Sequence, residues 1–238
     1  MKTRNTTLSH LLVATALSLA GAHAQASVLV QQYQFGGASG DSSVAKLNAA
    51  IAAGTAPSFT AITNTINYTD RDDGSASFAG DHYTGDVAWP MSGVFGGSAP
   101  GNDEFGARIL AQVFIATAGA YTFGTYADDG VELLIDGVSL FVRDTVGQRT
   151  DMATVTLSEG YHAVDLRYAE RQGAADLEFF AAAGRYSSFN SNFRLVGDTA
   201  HGGLATAAIP EPSALALSAV ALAGLGWTRR GARKARHA

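Results

Sequence analysis

The stretch YADDGVELLIDG, residues 126–137, sets Asp128 directly beside Asp129 with no basic residue next to either. Adjacent carboxylates repel, and two readings account for the pair. It is a solvated turn, since Asp and Gly are ordinary turn residues, or it is a seat for a cation. Calcium is the hard ion that suits it, taking about six to eight oxygen ligands at roughly 2.3–2.6 Å. Neighbouring residues of a regular strand point to opposite faces, so both carboxylates can reach one ion only where the backbone turns.

Other residues offer weaker chemistry. TDRDDGS places Asp70, Asp72 and Asp73 in a row, but Gly74 stands where a calcium loop needs its third ligand and Arg71 interrupts it; this reads as a solvated turn. Tyr83, Trp89, Tyr186 and Phe189 could stack on sugar rings or plug the core. Asp136 precedes the Gly of a hairpin turn, and His162 reads as a structural histidine. The metalloprotease, nucleophile-elbow, phosphate-loop and dinucleotide motifs are all missing from the sequence. Adjacent acids on one turn do not straddle a glycosidic bond. The expectation is a binding protein without enzymatic activity.

The elements that must hold the acidic pair are strands. YTFGTYA (121–127) runs into it, and VELLI (131–135) runs out of it. Asp136-Gly137 then joins VELLI to VSLFVR (138–143), a two-residue hairpin signal. RILAQVFIA (108–116), ATVTL (153–157), YHAVDLRY (161–168) and DLEFFAA (176–182) continue the series, with turn residues between them. Upstream, SVLVQQYQF (27–35) and SFTAITNTINYT (58–69) read as strands. SSVAKLNAAIAAG carries one short helix, capped by Ser42 or Ser43 and ended by Gly54. Short strands at regular spacing predict an all-β, antiparallel β-sandwich.

The series AGAYTFGTYADDGVELLIDG, then ATVTLSEGYHAVDLRYAERQGAADLEFF, resembles the PA-14 domain, a β-sandwich first named from anthrax protective antigen. The shared order is an aromatic strand (Tyr121, Phe123), the Ala127–Gly130 turn, Ile135–Gly137, Leu157–His162, Tyr168, Gly173 and Leu177–Phe180. In the lectin branch of that family a cis peptide between two Asp residues turns both carboxylates onto one Ca2+, which also binds vicinal sugar hydroxyls. The resemblance maps that role onto Asp128 and Asp129. It also implies an Asn ligand from a later loop, for which Asn190 and Asn192 in RYSSFNSNF are the candidates.

Both ends of the 238-residue chain look like processing signals. Lys2 and Arg4, the apolar run Leu11–Ala20 and the small residues before Ala24 and Ala26 have the anatomy of a secretory signal peptide over residues 1–26. The far end resembles the PEP-CTERM sorting signal of Gram-negative bacteria: Pro210-Glu211-Pro212, an apolar helix over Ala214–Trp227, then a basic cluster that includes Arg229 and Arg230. The apolar run is shorter than the ~20 residues of a comfortable span. The resemblance implies secretion, transient membrane insertion and processing by an exosortase. Residues 27–185 are expected to form the sandwich, 186–209 a flexible linker and 210–238 the sorting signal.

Residues 27–209 hold nine Lys and Arg against twenty Asp and Glu, a net charge of −11. Such a surface repels phosphate backbones, so nucleic acid is not an expected partner. There is no cysteine, hence no disulfide framework. Together these readings predict an exported, cell-surface protein that binds polysaccharide with the help of Ca2+ in an exopolysaccharide matrix. The alternative is a structural surface or matrix protein that binds no sugar specifically.

Overall fold

The computed structural model describes residues 27–35, 42–69, 80–90, 104–171, 173 and 175–208. The expected leader over residues 1–26, the Asp70–Asp73 cluster and the sorting residues Pro210, Glu211, Pro212, Arg229 and Arg230 lie outside them, as does the apolar helix expected over Ala214–Trp227. Among the described residues no helix is long and apolar enough to cross a membrane.

The chain forms β1 (Val28–Gln34), α1 (Val44–Ala52), β2 (Phe59–Thr63), β3 (Asn67–Thr69), β4 (Val87–Ala88), β5 (Phe105–Ile115), β6 (Gly119–Asp128) and β7 (Gly130–Ile135). It continues through β8 (Val138–Arg143), β9 (Arg149–Leu157), β10 (Gly160–Glu170), β11 (Asp176–Ala183), β12 (Arg194–Leu195), a short 3-10 helix and β13 (Thr206–Ala207). Two sheets result. One runs β2-β1-β5-β10-β7-β8, with β13 also on β5; the other runs β4-β3-β11-β6-β9, with β12 also on β11. Every pairing is antiparallel except β3 with β4. The expected sandwich with one short helix near the start is what the chain builds.

Local chemistry accounts for much of this. Ser43 is the residue that caps α1, accepting the Lys46 amide at 3.0 Å. Asp136 and Gly137 both take positive φ, 51° and 78°, as a two-residue hairpin turn requires. Asp136 is also tied down: its carboxylate accepts His162 Nδ1–H at 2.6 Å and the Ala163 amide at 2.9 Å. Burial by itself would lower the His162 pKa, but Asp136 and the Ser158 carbonyl, both in contact with its ring, raise it overall.

Val30, Ile109, Val113, Phe123, Leu133, Leu166 and Tyr168 are fully buried between the sheets. Trp89 plugs this core against Tyr68, Phe105 and Tyr168.

Two expectations need correction. The run 58–69 is not one strand: β2 joins β1 in the first sheet, and β3 joins β11 in the second. Residues 64–66 therefore carry the chain from one sheet to the other. Residues 186–208 are not a linker. Phe193, Val196 and Ala207 are buried, β12 pairs with β11, and β13 pairs with β5. The sandwich thus runs on past residue 185 to the end of the described chain, because its apolar residues have core positions to fill. Along β7 simple alternation puts Val131, Leu133 and Ile135 in the core and leaves Leu134 half-buried on the other side; the bulge opposite Leu133 and Leu134 lies on β8, where Leu140 is the extra residue.

Candidate metal and ligand site

The acidic pair sits at a corner of the sandwich. Asp128 ends β6 in one sheet, Gly130 begins β7 in the other, and Asp129 alone makes the crossing. The Asp128–Asp129 peptide bond is cis. Gly130 has to be small: a Cβ there would lie 3.2 Å from Arg143 O, Asp144 Oδ1 and Val44 Cγ2.

A brace of hydrogen bonds fixes the corner. Asp144 accepts the Val44 and Ala45 amides at the start of α1, and its Oδ1 takes the Arg171 guanidinium at 2.6 Å. This anchors the 144–148 loop beside the pair. From that loop Gly147 N donates to Asp129 Oδ1 at 2.6 Å, and across it Arg171 N donates to Asp129 Oδ2 at 3.1 Å. Gln148 accepts the Tyr126 hydroxyl at 3.1 Å and hydrogen-bonds the Asp128 carboxyl. From beneath, the Tyr168 hydroxyl contacts the Asp128 carbonyl oxygen and Glu170 Oε2.

The electrostatics follow from burial. The Asp128 carboxyl is pushed up to about 7, by burial first and then by a hydrogen bond and charge repulsion from Asp129; Gln148 and the Gly147 amide offset part of this. The two carboxyls are therefore within hydrogen-bonding reach of each other. No Arg, Lys or His among the described residues forms an ion pair with either one.

More buried acids lie beside the corner on the outer side of the β6–β11 pair. Asp176 faces Asp128 in register. Burial, then Asp81, Glu178, Asp86 and Asp128, push it up to about 9, and its Oδ2 has no hydrogen-bond donor. Glu178 accepts the His82 and Tyr83 amides, yet burial holds it at about 8.

The donor set fits a hard cation within limits. No group of three or more His, Cys, Asp or Glu among the described residues could hold a metal ion. Carboxylate ligation would therefore be limited to Asp128 and Asp129, and the remaining oxygens would come from amides and carbonyls. Gln148 is the nearest such side chain. Sequence reading missed it because it sits 19 residues beyond Asp129, and only the fold of the 144–148 loop delivers it.

Asn190 is held within its own loop, and Asn192 lies away from the pair. Asn190 Oδ1 accepts the Asn192 amide within its own loop, at 2.9 Å. Asn192 lines a cavity of about 510 Å³ with Tyr121, Ala183 and Leu204. Tyr121 lies seven residues back along β6 from Asp128, about 23 Å away. The loop aromatics close a second apolar cluster instead: Phe189 stacks on His82 at 3.7 Å, and Tyr83 and Tyr186 pack with them around Phe180 and Phe193.

Comparison with known proteins gives this corner a context. The family model described as "PA14 domain" matches residues 60–182, and that described as "PEP-CTERM protein-sorting motif" matches residues 208–230. No curated protein matches the chain. Among solved structures, the PA14 domain of the MpAFP antifreeze protein superposes with a TM-score of 0.54 at 18% identity, covering 78% of this chain and 92% of that one. The A domain of epithelial adhesin 9 from Candida glabrata, in complex with Galβ1-4GlcNAc, gives 0.50 at 10% identity, covering 78% and 91%. The PA14 sugar-binding domain from an RTX adhesin gives 0.49 at 21%, covering 71% and 97%. The match over residues 60–182 takes in more than half of the sequence, both sheets and the acidic corner: the chain belongs to the PA14 domain family and carries a PEP-CTERM sorting motif.

Proposed function

We propose that the protein is an exported, cell-surface module that binds carbohydrate at the Asp128–Asp129 corner with the help of Ca2+. One observation carries this reading: two neighbouring carboxyls, Asp129 buried and Asp128 half-buried, within hydrogen-bonding reach, with no ion pair to a basic side chain among the described residues. Such an arrangement is costly for a protein alone and suits an added positive charge. Asp128 and Asp129 would supply the carboxylate oxygens, and Gln148 with the 144–148 loop would complete the shell. A bound Ca2+ supplies open coordination positions for sugar hydroxyls. Within the chain, the Asp144–Arg171 brace holds the loop against the corner, and Tyr168 fixes the Asp128 backbone from beneath. The adhesin domain solved with Galβ1-4GlcNAc shares the fold and supports a glycan as the ligand class.

Sorting follows from the tail. Pro210-Glu211-Pro212, the apolar run and the Arg229-Arg230 end would insert transiently in the membrane of a Gram-negative cell and be processed by an exosortase. The sandwich would be left at the surface or in an exopolysaccharide matrix.

A second reading rests on Asp129, whose two oxygens are both taken by backbone amides. On it the pair braces the corner of a structural matrix protein. A glycan array run in Ca2+ and in chelator separates the two. Binding that disappears with chelator supports the first reading; no binding in either condition leaves the second.

A further inference from the structure

The outer face of the β2-β1-β5-β10-β7-β8 sheet is only half covered. Helix α1 packs over one end, where Asn48 reaches Glu132 and Arg167, and Arg167 and Arg108 both pair with Asp165. The other end is mostly apolar, with Gln112 the polar residue between Leu110 and Phe114 on that face of β5. Ile62, Leu29 and Leu110 stand side by side in register across β2, β1 and β5. Registered residues share a face, and so do residues four apart along a strand. Phe114, four residues beyond Leu110, pairs with Tyr161 of β10, and their rings lie 5.1 Å apart. Ile62 is 65% exposed, Tyr161 53% and Phe114 39%. Large side chains grouped so openly on one face mark an interaction surface.

The path of the chain says what meets it. The last described strand, β13, lies on β5 beside this patch: Ala207 faces Gln112, and Phe114 N donates to Ala205 O at 2.9 Å. Two positions further along β5 the same lane is occupied by β1, with Leu29 opposite Leu110. The tail must therefore leave the sheet right at the patch. Only residues 209–213 separate Ala208 from the apolar run that begins at Ala214. Fully extended, that link spans about 20 Å. The acidic corner is at the opposite pole. Tyr161 and Ala169, which faces Gly130, are eight residues apart on β10, about 27 Å.

We infer that the Ile62–Phe114–Tyr161 surface is a lipid-contact face, which rests on the bilayer that holds the tail and turns the acidic corner away from it. Aromatic rings with a polar tip, such as Tyr161, are at home at the membrane–water boundary, and the link is too short to let the sandwich drift far. The inference rests on the reading of residues 210–238 as a membrane-inserting segment.

The chain has no cysteine, so single labels can be placed cleanly. The full chain carrying Ile62→Cys, Phe114→Cys or Tyr161→Cys is labelled with a polarity-sensitive fluorophore and reconstituted into phosphatidylethanolamine–phosphatidylglycerol vesicles. Val146→Cys, 58% exposed in the loop beside the acidic corner, is the control. Circular-dichroism melts confirm that each variant folds; Ile62 and Tyr161, both more than half exposed, keep the test open if Phe114→Cys does not. The expected result is severalfold stronger quenching by brominated lipid, and protection from iodide, at positions 62, 114 and 161 relative to 146. Equal iodide quenching at every position on chains that float with the vesicles would overturn the inference and leave the tail reading intact. Protection from iodide without quenching by brominated lipid would mean that another copy covers the face, and would overturn it too. Chains that fail to float with the vesicles would sink the tail reading and the inference with it.

Discussion

If Asp128 and Asp129 hold Ca2+, the ion must compete with the proton that the buried corner favours. With the Asp128 carboxyl near 7, apparent affinity is divided by one plus the proton occupancy ratio. It weakens about twofold at pH 7, about tenfold at pH 6 and about a hundredfold at pH 5, relative to a fully ionised site. An ordinary solvated Asp pair, titrating near 4, would lose almost nothing over that range. Isothermal titration of Ca2+ at four pH values reads the slope directly. In the same samples, Ca2+ at about one hundred times its dissociation constant should stabilise the fold by about 2.7 kcal/mol. For a domain of this size that is a melting shift of roughly 5–11 °C at neutral pH. Asp128→Asn with Asp129→Asn keeps the shape and should abolish both the heat of binding and the shift. A wild-type melting curve identical in Ca2+ and in chelator would refute the metal site. Binding that is independent of pH from 5 to 8 would refute the buried, proton-competed corner described here.

Three further outcomes follow. Without Ca2+, stability should fall as pH rises from about 4 to 9: the unfolded chain releases its carboxyl protons first, while Asp128, Glu178 and Asp176 keep theirs up to about 7, 8 and 9. Asp176→Asn should flatten that slope in melts taken across the range. Leu133→Ala, at a fully buried position, should cost about 2–5 kcal/mol in a denaturant titration, and half-buried Leu134→Ala distinctly less. Truncation after Ala208 should leave the melting temperature near that of the longer chain, whereas truncation after Arg185 removes Phe193, Val196 and β13 and should abolish the cooperative transition.

Features governed by neighbours in sequence were legible there. The Ser43 cap, the Asp136-Gly137 turn and the strands either side of the acidic pair each depend on a few consecutive residues. What escaped depends on distant contacts. SFTAITNTINYT alternates as one strand would, and only the partners β1 and β11 reveal that it changes sheets at 64–66. In VELLI alternation already sets Val131, Leu133 and Ile135 inward, but the extra residue on the partner strand, Leu140, is set by the β7–β8 pairing and is invisible to periodicity. Residues 186–208 look like linker because Ser, Asn and Gly dominate, yet a few well-spaced apolar side chains are enough to fold them onto the sheets. Of the site, the two carboxylates were readable and Gln148 was not. The later asparagines were matched by residue type alone, and Asn192 lines a cavity with Tyr121 at the far end of β6.

The two ends of the described chain have a consequence of their own. Along β5, Ala207 faces Gln112 and Leu29 faces Leu110, and β13 and β1 both run antiparallel to it on the same side. The last strand and the first are thus two halves of a single lane, nicked opposite Ala111. Topologically the sandwich is a ring cut once. A peptide of a few residues could close it, and a new opening at the Asp136-Gly137 hairpin would give a circularly permuted chain with the same neighbours in the same registers. The cut falls beside both of the segments that the sequence reads as processing signals, so loss of either would leave the pairing among the long strands as it is.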